Sequence, residues 1–362
     1  MRLWSIPSGI VLVALALGCH REVEMTPLME RTIYPRSDRF YDVQALSKDH
    51  VIVVGYGGKI VETRDRGMNW AVLPSGVDVA LYGVRFVDEN HGWIVGQDGL
   101  ILATADGGKT WTKQESNATF EESDGAVKRA YLFNVDATDA QNAWAVGDRS
   151  ILTSTSDGGK TWRSRKVPME GDLSGGQSLA AADPIFYDVK FVDRQNGWIV
   201  GEFGKILRTK DGGETWKEQT KTLLEGTEFF DLLDLPTLFG VSARDQQNAV
   251  AAGLEAHIAR TRDGGEKWTY DKVEGGEIKL VDPLYDIVEF PDGSGWAVGA
   301  AGQVVKTDGG SGVWTRANIG QEVATWLRAV SFSDPQYGWL VGGYGLIYHT
   351  EDGGKSWLPV QG

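Results

Sequence analysis

From residue 40 onward the apolar residues come in short runs, broken at regular intervals by Gly, Asp and Asn. One stretch shows the unit. Tyr187 to Val192 is followed by a polar turn at 193–197, then Trp198 to Gly201, then a glycine turn. Lys205 to Thr209 comes next, and an Asp211-Gly212-Gly213-Glu214 turn leads to Trp216. These runs are β-branched and aromatic and too short for helices, so they predict four strands joined by hairpins. The unit recurs seven times. Its tail, Thr-x-Asp-Gly-Gly-x-Thr-Trp, stands at 104–111, 155–162 and 209–216, recurs with Lys267 or Ser356 in place of the second Thr at 261–268 and 350–357, and has looser copies at 63–70 and 307–314. Its middle, Gly/Ala-Trp-x-Val-Gly, stands at 92–96, 143–147, 197–201, 295–299 and 338–342; copies one and five keep the glycine without the Trp. An aromatic residue followed by a polar or small one and then Val or Ile opens six copies, the first being Tyr41-Asp42-Val43, and Arg328-Ala329-Val330 opens the seventh. Repeats of about 46 residues are of propeller length. A lone four-stranded sheet leaves two apolar faces bare, whereas seven arranged radially cover each other. The expectation is an all-β fold, a seven-bladed β-propeller of four-stranded antiparallel blades over 40–362, folding as one unit.

Charge and composition narrow the function. Fifty Asp and Glu against 36 Lys and Arg give a net charge of -14. That argues against a non-specific nucleic-acid binder, which needs a basic surface. The single cysteine excludes a disulfide framework and a Cys-based zinc cluster. It is Cys19, at the end of Ala16-Leu17-Gly18-Cys19 and after an apolar run, Ile10 to Leu17, too short to span a bilayer. This resembles a bacterial lipobox; the alternative is an ordinary secretory signal with an incidental cysteine. The expected layout is a lipoprotein signal peptide at 1–18, lipidation at Cys19, a polar tether at 19–39 and one propeller at 40–362. The protein is then exported and lipid-anchored on the periplasmic side of a bacterial membrane, or the lumenal side of a thylakoid in a photosynthetic host.

The Asp-Gly-Gly tails read as structure. A carboxylate there can accept from backbone N–H groups along its own turn, glycines supply positive φ, and the Trp fills the space between sheets. Asp65, Asp106, Asp157, Asp211, Asp263 and Asp352 are assigned so. Calcium would need oxygens at alternating positions, which the turn lacks. The candidate partner face is the end where each first strand begins, called the top. Equivalent positions Asp42, Gly83, Asn134, Asp188, Gly240, Asp286 and Ala329 form a ring near the channel mouth, where the acids are expected to line a wet channel or meet a ligand. The aromatics one position earlier are expected to pack between blades. Arg163, Arg165 and Lys166 are expected as a basic cluster in a top loop. The connections after Trp111, Trp162, Trp216 and Trp268 are longer than those after Trp70 and Trp314, and long loops on a rigid scaffold often carry recognition. The stretch 223–235 combines large apolar residues with acids, so it either exposes Phe229 and Phe230 to a partner or folds over a blade edge.

The combination of these three repeated segments resembles the photosystem II stability/assembly factor propeller family, and the Thr-x-Asp-Gly-Gly-x-Thr-Trp segment resembles the Asp box of bacterial neuraminidase repeats. The resemblance implies a non-catalytic seven-bladed propeller that helps assemble the photosystem II reaction centre through an arginine-rich surface. A relative in a non-photosynthetic bacterium is equally compatible with it. The expected protein is a monomeric, membrane-tethered scaffold for a membrane-embedded protein partner, without cofactor or metal. Two alternatives stand beside it: a glycan-binding or glycoside-hydrolysing Asp-box propeller, and a receptor-like peptide-binding module. No Arg-Ile-Pro motif precedes the first blade, and Asp42, Asp188 and Asp286 lie too far round the ring to assume the separation a glycosidase pair needs. The five His at 20, 50, 91, 257 and 349 show no metal-ligand spacing.

Overall fold

In the computed structural model the described residues are 32–34, 36–169, 183–225, 227, 229–276, 279–309 and 311–360. They form a seven-bladed β-propeller in which each blade is an antiparallel sheet of consecutive strands. The blades cover 40–73, 81–115, 132–166, 186–218, 238–270, 284–316 and 327–359. Blade 6 departs from the four-strand rule. Lys272–Glu274, from the connection before it, pairs in parallel with its outer strand Val313–Arg316.

Each apolar cluster joins two consecutive blades. Ile52, Val54 and Ile60 of blade 1 pack on Leu81, Val84 and Ile94 of blade 2, and the other six seams repeat the arrangement. No blade therefore has a core of its own, which makes the ring one cooperative unit.

Two backbone features set the inner rim. The second strand of each blade ends on a glycine, such as Gly96, at which a Cβ would stand 2.2 Å from the Ala80 carbonyl oxygen. Only glycine lets the incoming chain cross so closely. The first strand then carries a bulge: Phe40 pairs with Gly55 and Asp42 with Val54, leaving Tyr41 as the extra residue. The same register shift occurs in all seven blades. A bulge re-aims one side chain, here the aromatic residue that opens each of the first six repeats and Arg328 in the seventh.

Closure of the ring differs from the expected tether at 19–39. Ile33 is buried in the seam between blades 7 and 1. The Arg36 N–H donates to Tyr344 O (3.2 Å), the Gly345 N–H donates to Asp38 O (2.8 Å), and Arg39 bridges Gly343. Residues 32–34 and 36–39 thus belong to the ring, because one apolar side chain and three backbone contacts fix them in the last seam. Blade 7 is built wholly from C-terminal strands. Thr32–Tyr34 forms no strand; the signal-peptide region and Cys19 lie outside the described residues.

Candidate functional site

The bulge residues meet around the channel mouth. Ring centroids lie 5.4 Å apart for Tyr41–Tyr82, 5.6 Å for Tyr82–Phe133, 5.5 Å for Phe133–Tyr187, 4.9 Å for Tyr187–Phe239 and 5.5 Å for Phe239–Tyr285. Arg328 takes the seventh place. Its guanidinium lies 5.4 Å from the Tyr285 ring centroid and donates to the Tyr285 carbonyl (3.1 Å). Trp326 stacks on Tyr41 at 5.9 Å. The result is a half-buried aromatic collar, with a cation completing it. Burial pushes the Tyr82 and Tyr187 phenols up to about 12, so they stay neutral.

The acids beneath the collar do not stand free in a wet channel. Asp42 accepts from its neighbour Val43 N–H (2.8 Å) and, across the seam, from Val84 N–H of blade 2 (2.7 Å). Asp188 accepts from Val189 and Val241, each at 2.7 Å, and from the Asn134 amide at 2.5 Å. Asp286 accepts from Ile287 and Val330, each at 2.8 Å. The receiving blades carry Gly83, Gly240 and Ala329 at the equivalent position, and a Cβ on Gly83 would already lie 2.8 Å from Asn134 Oδ1. The alternation of acid and small residue is a seam device. Burial, first, pushes the Asp42 carboxyl up to about 7, with the Asp286 charge adding to it. Asp188 and Asp286 are pushed up by the same burial.

A second tier lies two residues further along and went unread in the sequence. Gln44 exchanges two hydrogen bonds with the Phe86 backbone, at 2.9 and 2.5 Å. Asp136 accepts from Phe191 N–H (2.6 Å) and meets Arg85 at 2.9 Å. The Ser242 hydroxyl accepts from Glu289 N–H and that of Ser331 from Ala45 N–H, both at 3.0 Å, the latter across the closing seam. The missing signal was a polar side chain at the fourth position of six of the seven opening segments, Val288 being the exception; their chemical variety hid it.

The Asp-box turns lie between third and fourth strands, at the end opposite the collar. In blade 2 the Thr104 hydroxyl donates to Asp106 (2.8 Å) and accepts from Gly108 N–H (2.9 Å), while Asp106 accepts from the Thr110 N–H and hydroxyl at 2.9 and 2.6 Å. Asp157, Asp211 and Asp352 repeat this set, Asp65 uses Asn69, and Asp263 keeps the backbone bond from Lys267. The Thr110 and Thr161 donors hold the Asp106 and Asp157 carboxyls at about 2. Among the described residues no cluster of His, Cys, Asp and Glu is arranged to hold a metal ion.

The basic cluster sits elsewhere than expected. Arg163–Lys166 is the outer strand of blade 3, paired with the third strand, and not a top loop. Pairing with Ile151–Ser154 extends the sheet past Trp162. Arg163 and Arg165 reach Glu214 of the next blade at 3.3 and 3.5 Å, Arg165 also donates to the Gly213 carbonyl, and Lys166 meets Asp183 at 2.7 Å. The 223–235 stretch does two things at once. Leu223 and Leu235 are buried against blade 5 with Phe229 half-buried, so it folds over the blade, while Phe230 stands 96% exposed. Asp231 and Asp234 cap the short 3₁₀ turn that follows it.

Comparison with known proteins places this arrangement. Residues 69–182, 177–236 and 275–361 match the family described as photosynthesis system II assembly factor YCF48. The chain belongs to the YCF48 family. A photosystem II assembly lipoprotein Ycf48 from Synechococcus (strain CC9902) is 26% identical over 63% of this chain and 75% of its own length. A photosystem II stability/assembly factor from Arabidopsis thaliana, chloroplastic, is 24% identical over 63% of this chain and 55% of its own length. Among solved structures, YCF48 from Cyanidioschyzon merolae matches with a TM-score of 0.65 at 19% identity, over 88% of this chain and 97% of that one. A structure described as YCF48 bound to D1 peptide matches with a TM-score of 0.55 at 22% identity, over 77% of this chain and 80% of that one. These two show the shared fold, as does an ancestral GH74 enzyme at 12% identity. The YCF48 match is to assembly factors, and the chain is not an enzyme.

Proposed function

We propose that this YCF48-family propeller is an assembly factor that holds a membrane-embedded protein of photosystem II, a D1-type subunit, while tethered through a lipid on Cys19. The observation that carries the reading is family membership over most of the ring, joined to a solved family member with a D1 peptide on it. The names of two relatives as assembly lipoproteins support the anchor, and with it the division into signal peptide and lipidated tether. No helix of the described residues is long and apolar enough to cross a membrane, so the anchor would supply the attachment. The exposed Phe230 and the basic outer strand at Arg163–Lys166 are the surfaces proposed for the partner.

The test uses full-length chain purified in mild detergent and an immobilised D1 peptide, with a scrambled peptide beside it. Retention on the D1 peptide alone is expected. Equal retention on both would remove the function. In membranes, Cys19→Ser is expected to move the protein from the membrane fraction to the soluble fraction; unchanged fractionation would remove the anchor.

A further inference from the structure

The three exposed tyrosines of the chain stand in one place. Tyr34, Tyr56 and Tyr344 are 45%, 59% and 55% accessible, whereas the other eight tyrosines are half-buried or buried. Tyr56 and Tyr344 occupy the turns between the second and third strands of blades 1 and 7, at the collar end, and Tyr34 lies in the segment that closes the ring at that seam. The backbone ties them together. The Tyr56 N–H donates to Arg39 O (2.9 Å), the Arg36 N–H to Tyr344 O (3.2 Å) and the Gly345 N–H to Asp38 O (2.8 Å). Cations interleave with the rings. The Arg39 guanidinium lies 5.7 Å from the Tyr56 centroid, and Lys59 Nζ lies 5.0 Å from that of Tyr34.

Charge singles out the same corner. The equivalent turns of blades 2 to 5 each carry an acid, Asp98, Asp148, Glu202 and Glu255, where blades 1 and 7 carry a tyrosine and no acid. Residues 34, 36–39, 55–59 and 343–345 hold Arg36, Arg39 and Lys59 against Asp38, a local charge of +2 on a chain of net charge -14. Asp78, in the connection that contacts Gly58, is an acid at the border. Asp38 is engaged by Lys59 Nζ at 2.5 Å and by the Tyr34 N–H at 2.7 Å, which leaves the exposed Arg36 and Arg39 outside that ion pair. A tyrosine is apolar along its ring and polar at its tip, so it suits the headgroup depth of a bilayer. Arginine and lysine near the surface are attracted to anionic headgroups. The chain also brings this corner to a membrane. From Cys19 to Thr32 is 13 steps, a reach of at most about 45 Å when fully extended. Ile33 enters the ring at this same seam.

We propose that the blade 7–1 corner docks on an anionic bilayer surface, with Tyr34, Tyr56 and Tyr344 at headgroup depth and Arg36 and Arg39 on lipid phosphates. The ring is then held in one orientation beside the membrane, and the surfaces at Phe230 and Arg163–Lys166 stand on other blades. The inference rests on the reading of Cys19 as the anchor for delivery to the membrane; the contact itself needs no lipid on the chain.

The test uses the full-length chain without its lipid. Cys19→Ser removes the single cysteine, so Tyr344→Cys places one NBD fluorophore in the patch. Met68→Cys, at a residue 77% exposed in the Asp-box turn of blade 1, gives the control. Each labelled chain is titrated with vesicles of phosphatidylcholine alone or with roughly one-third phosphatidylglycerol. The label at residue 344 is expected to brighten and shift to the blue with the anionic vesicles only, while the label at residue 68 stays as in water. Arg36→Gln with Arg39→Gln is expected to raise the lipid concentration needed about tenfold, as is about 0.5 M salt. Tyr34→Ser with Tyr56→Ser is expected to raise it several-fold. The signal-peptide segment is common to all these chains, and Tm without vesicles is expected to match the parent's because the replaced groups are exposed. A label at 344 that stays in water or responds equally to both vesicles overturns the inference, as does an arginine variant of parental Tm that responds as the parent does. Loss of D1 peptide retention in the tyrosine variant, with the 344 label in water, assigns the patch to a protein partner instead. None of these failures touches the anchor, which fractionation of Cys19→Ser reads separately.

Discussion

The channel mouth and the blade 5–6 sector are built from the same kinds of residue, yet they differ in what remains available. At the channel, Asp42, Asp188 and Asp286 each accept at least two hydrogen bonds, and the aromatics are packed on one another. Over blade 5, Phe230 has almost no cover and the Tyr270 hydroxyl has no acceptor. A ring of carboxylates and tyrosines around a pore invites a binding-site reading, but its capacity is used in holding seams together. Residue type does not separate the two regions; unsatisfied capacity does.

The largest effect that tests this contrast comes from Asp188. Asp188→Ala strands the Val189 and Val241 amides and the Asn134 side chain in a buried seam. A loss of about 3–5 kcal/mol is expected, from several buried donors left without a partner at about 1–3 kcal/mol each. Urea unfolding should show one transition at a lower midpoint, since neighbouring blades share every core cluster. A midpoint equal to that of the parent would mean that the seam does not depend on the carboxylate.

The second effect separates the seam acids from the Asp boxes by pH. The folded Asp42 carboxyl sits at about 7, above the unfolded value of about 4, and Asp188 and Asp286 are raised in the same direction. The folded state then holds protons that the unfolded chain has lost, so this contribution is full below about pH 4 and is lost as pH rises through 7. The boxes run the other way. Asp106 and Asp157 are held at about 2, so their contribution is present above about pH 4 and lost as pH falls towards 2. The urea midpoint is expected to be higher at pH 5 than at pH 8, and Asp42→Asn is expected to narrow the gap. A midpoint that rises from pH 5 to pH 8 would contradict the seam assignment.

Most of the architecture was legible because it repeats. The Trp of the tail, the glycine closing each second strand and the aromatic opening each first strand each recur at one structural position, so period alone gave the blade count and the place of the collar. What the repeat could not show is what differs between copies. Arg328 fills an aromatic's place, and only its stacking on Tyr285 shows that it belongs to the collar. Gln44, Asp136, Ser242 and Ser331 share a role across three different side-chain types. Arg163–Lys166 looked like loop because the outer strand carries no apolar pattern; it is paired on one edge only. Tyr270 and His257 are remote from the 223–235 stretch in sequence and meet Phe229 only through folding.

The smallest effect on stability, and the one that most sharpens the contrast, belongs to Phe230. Its side chain touches solvent over nearly its whole surface, so Phe230→Ala removes little buried area and stability should stay within about 0.5 kcal/mol of the parent. The adjoining turn keeps its own cap through Asp231 and Asp234, so the loop should hold its shape. If the residue serves the partner, retention on the D1 peptide falls several-fold while the unfolding midpoint does not move. Asp188→Ala should do the opposite when assayed well below its unfolding midpoint: a weaker fold with retention per folded molecule preserved. An equal loss of retention in both variants would erase the distinction between seam and rim, because binding would then depend on the integrity of the ring as a whole.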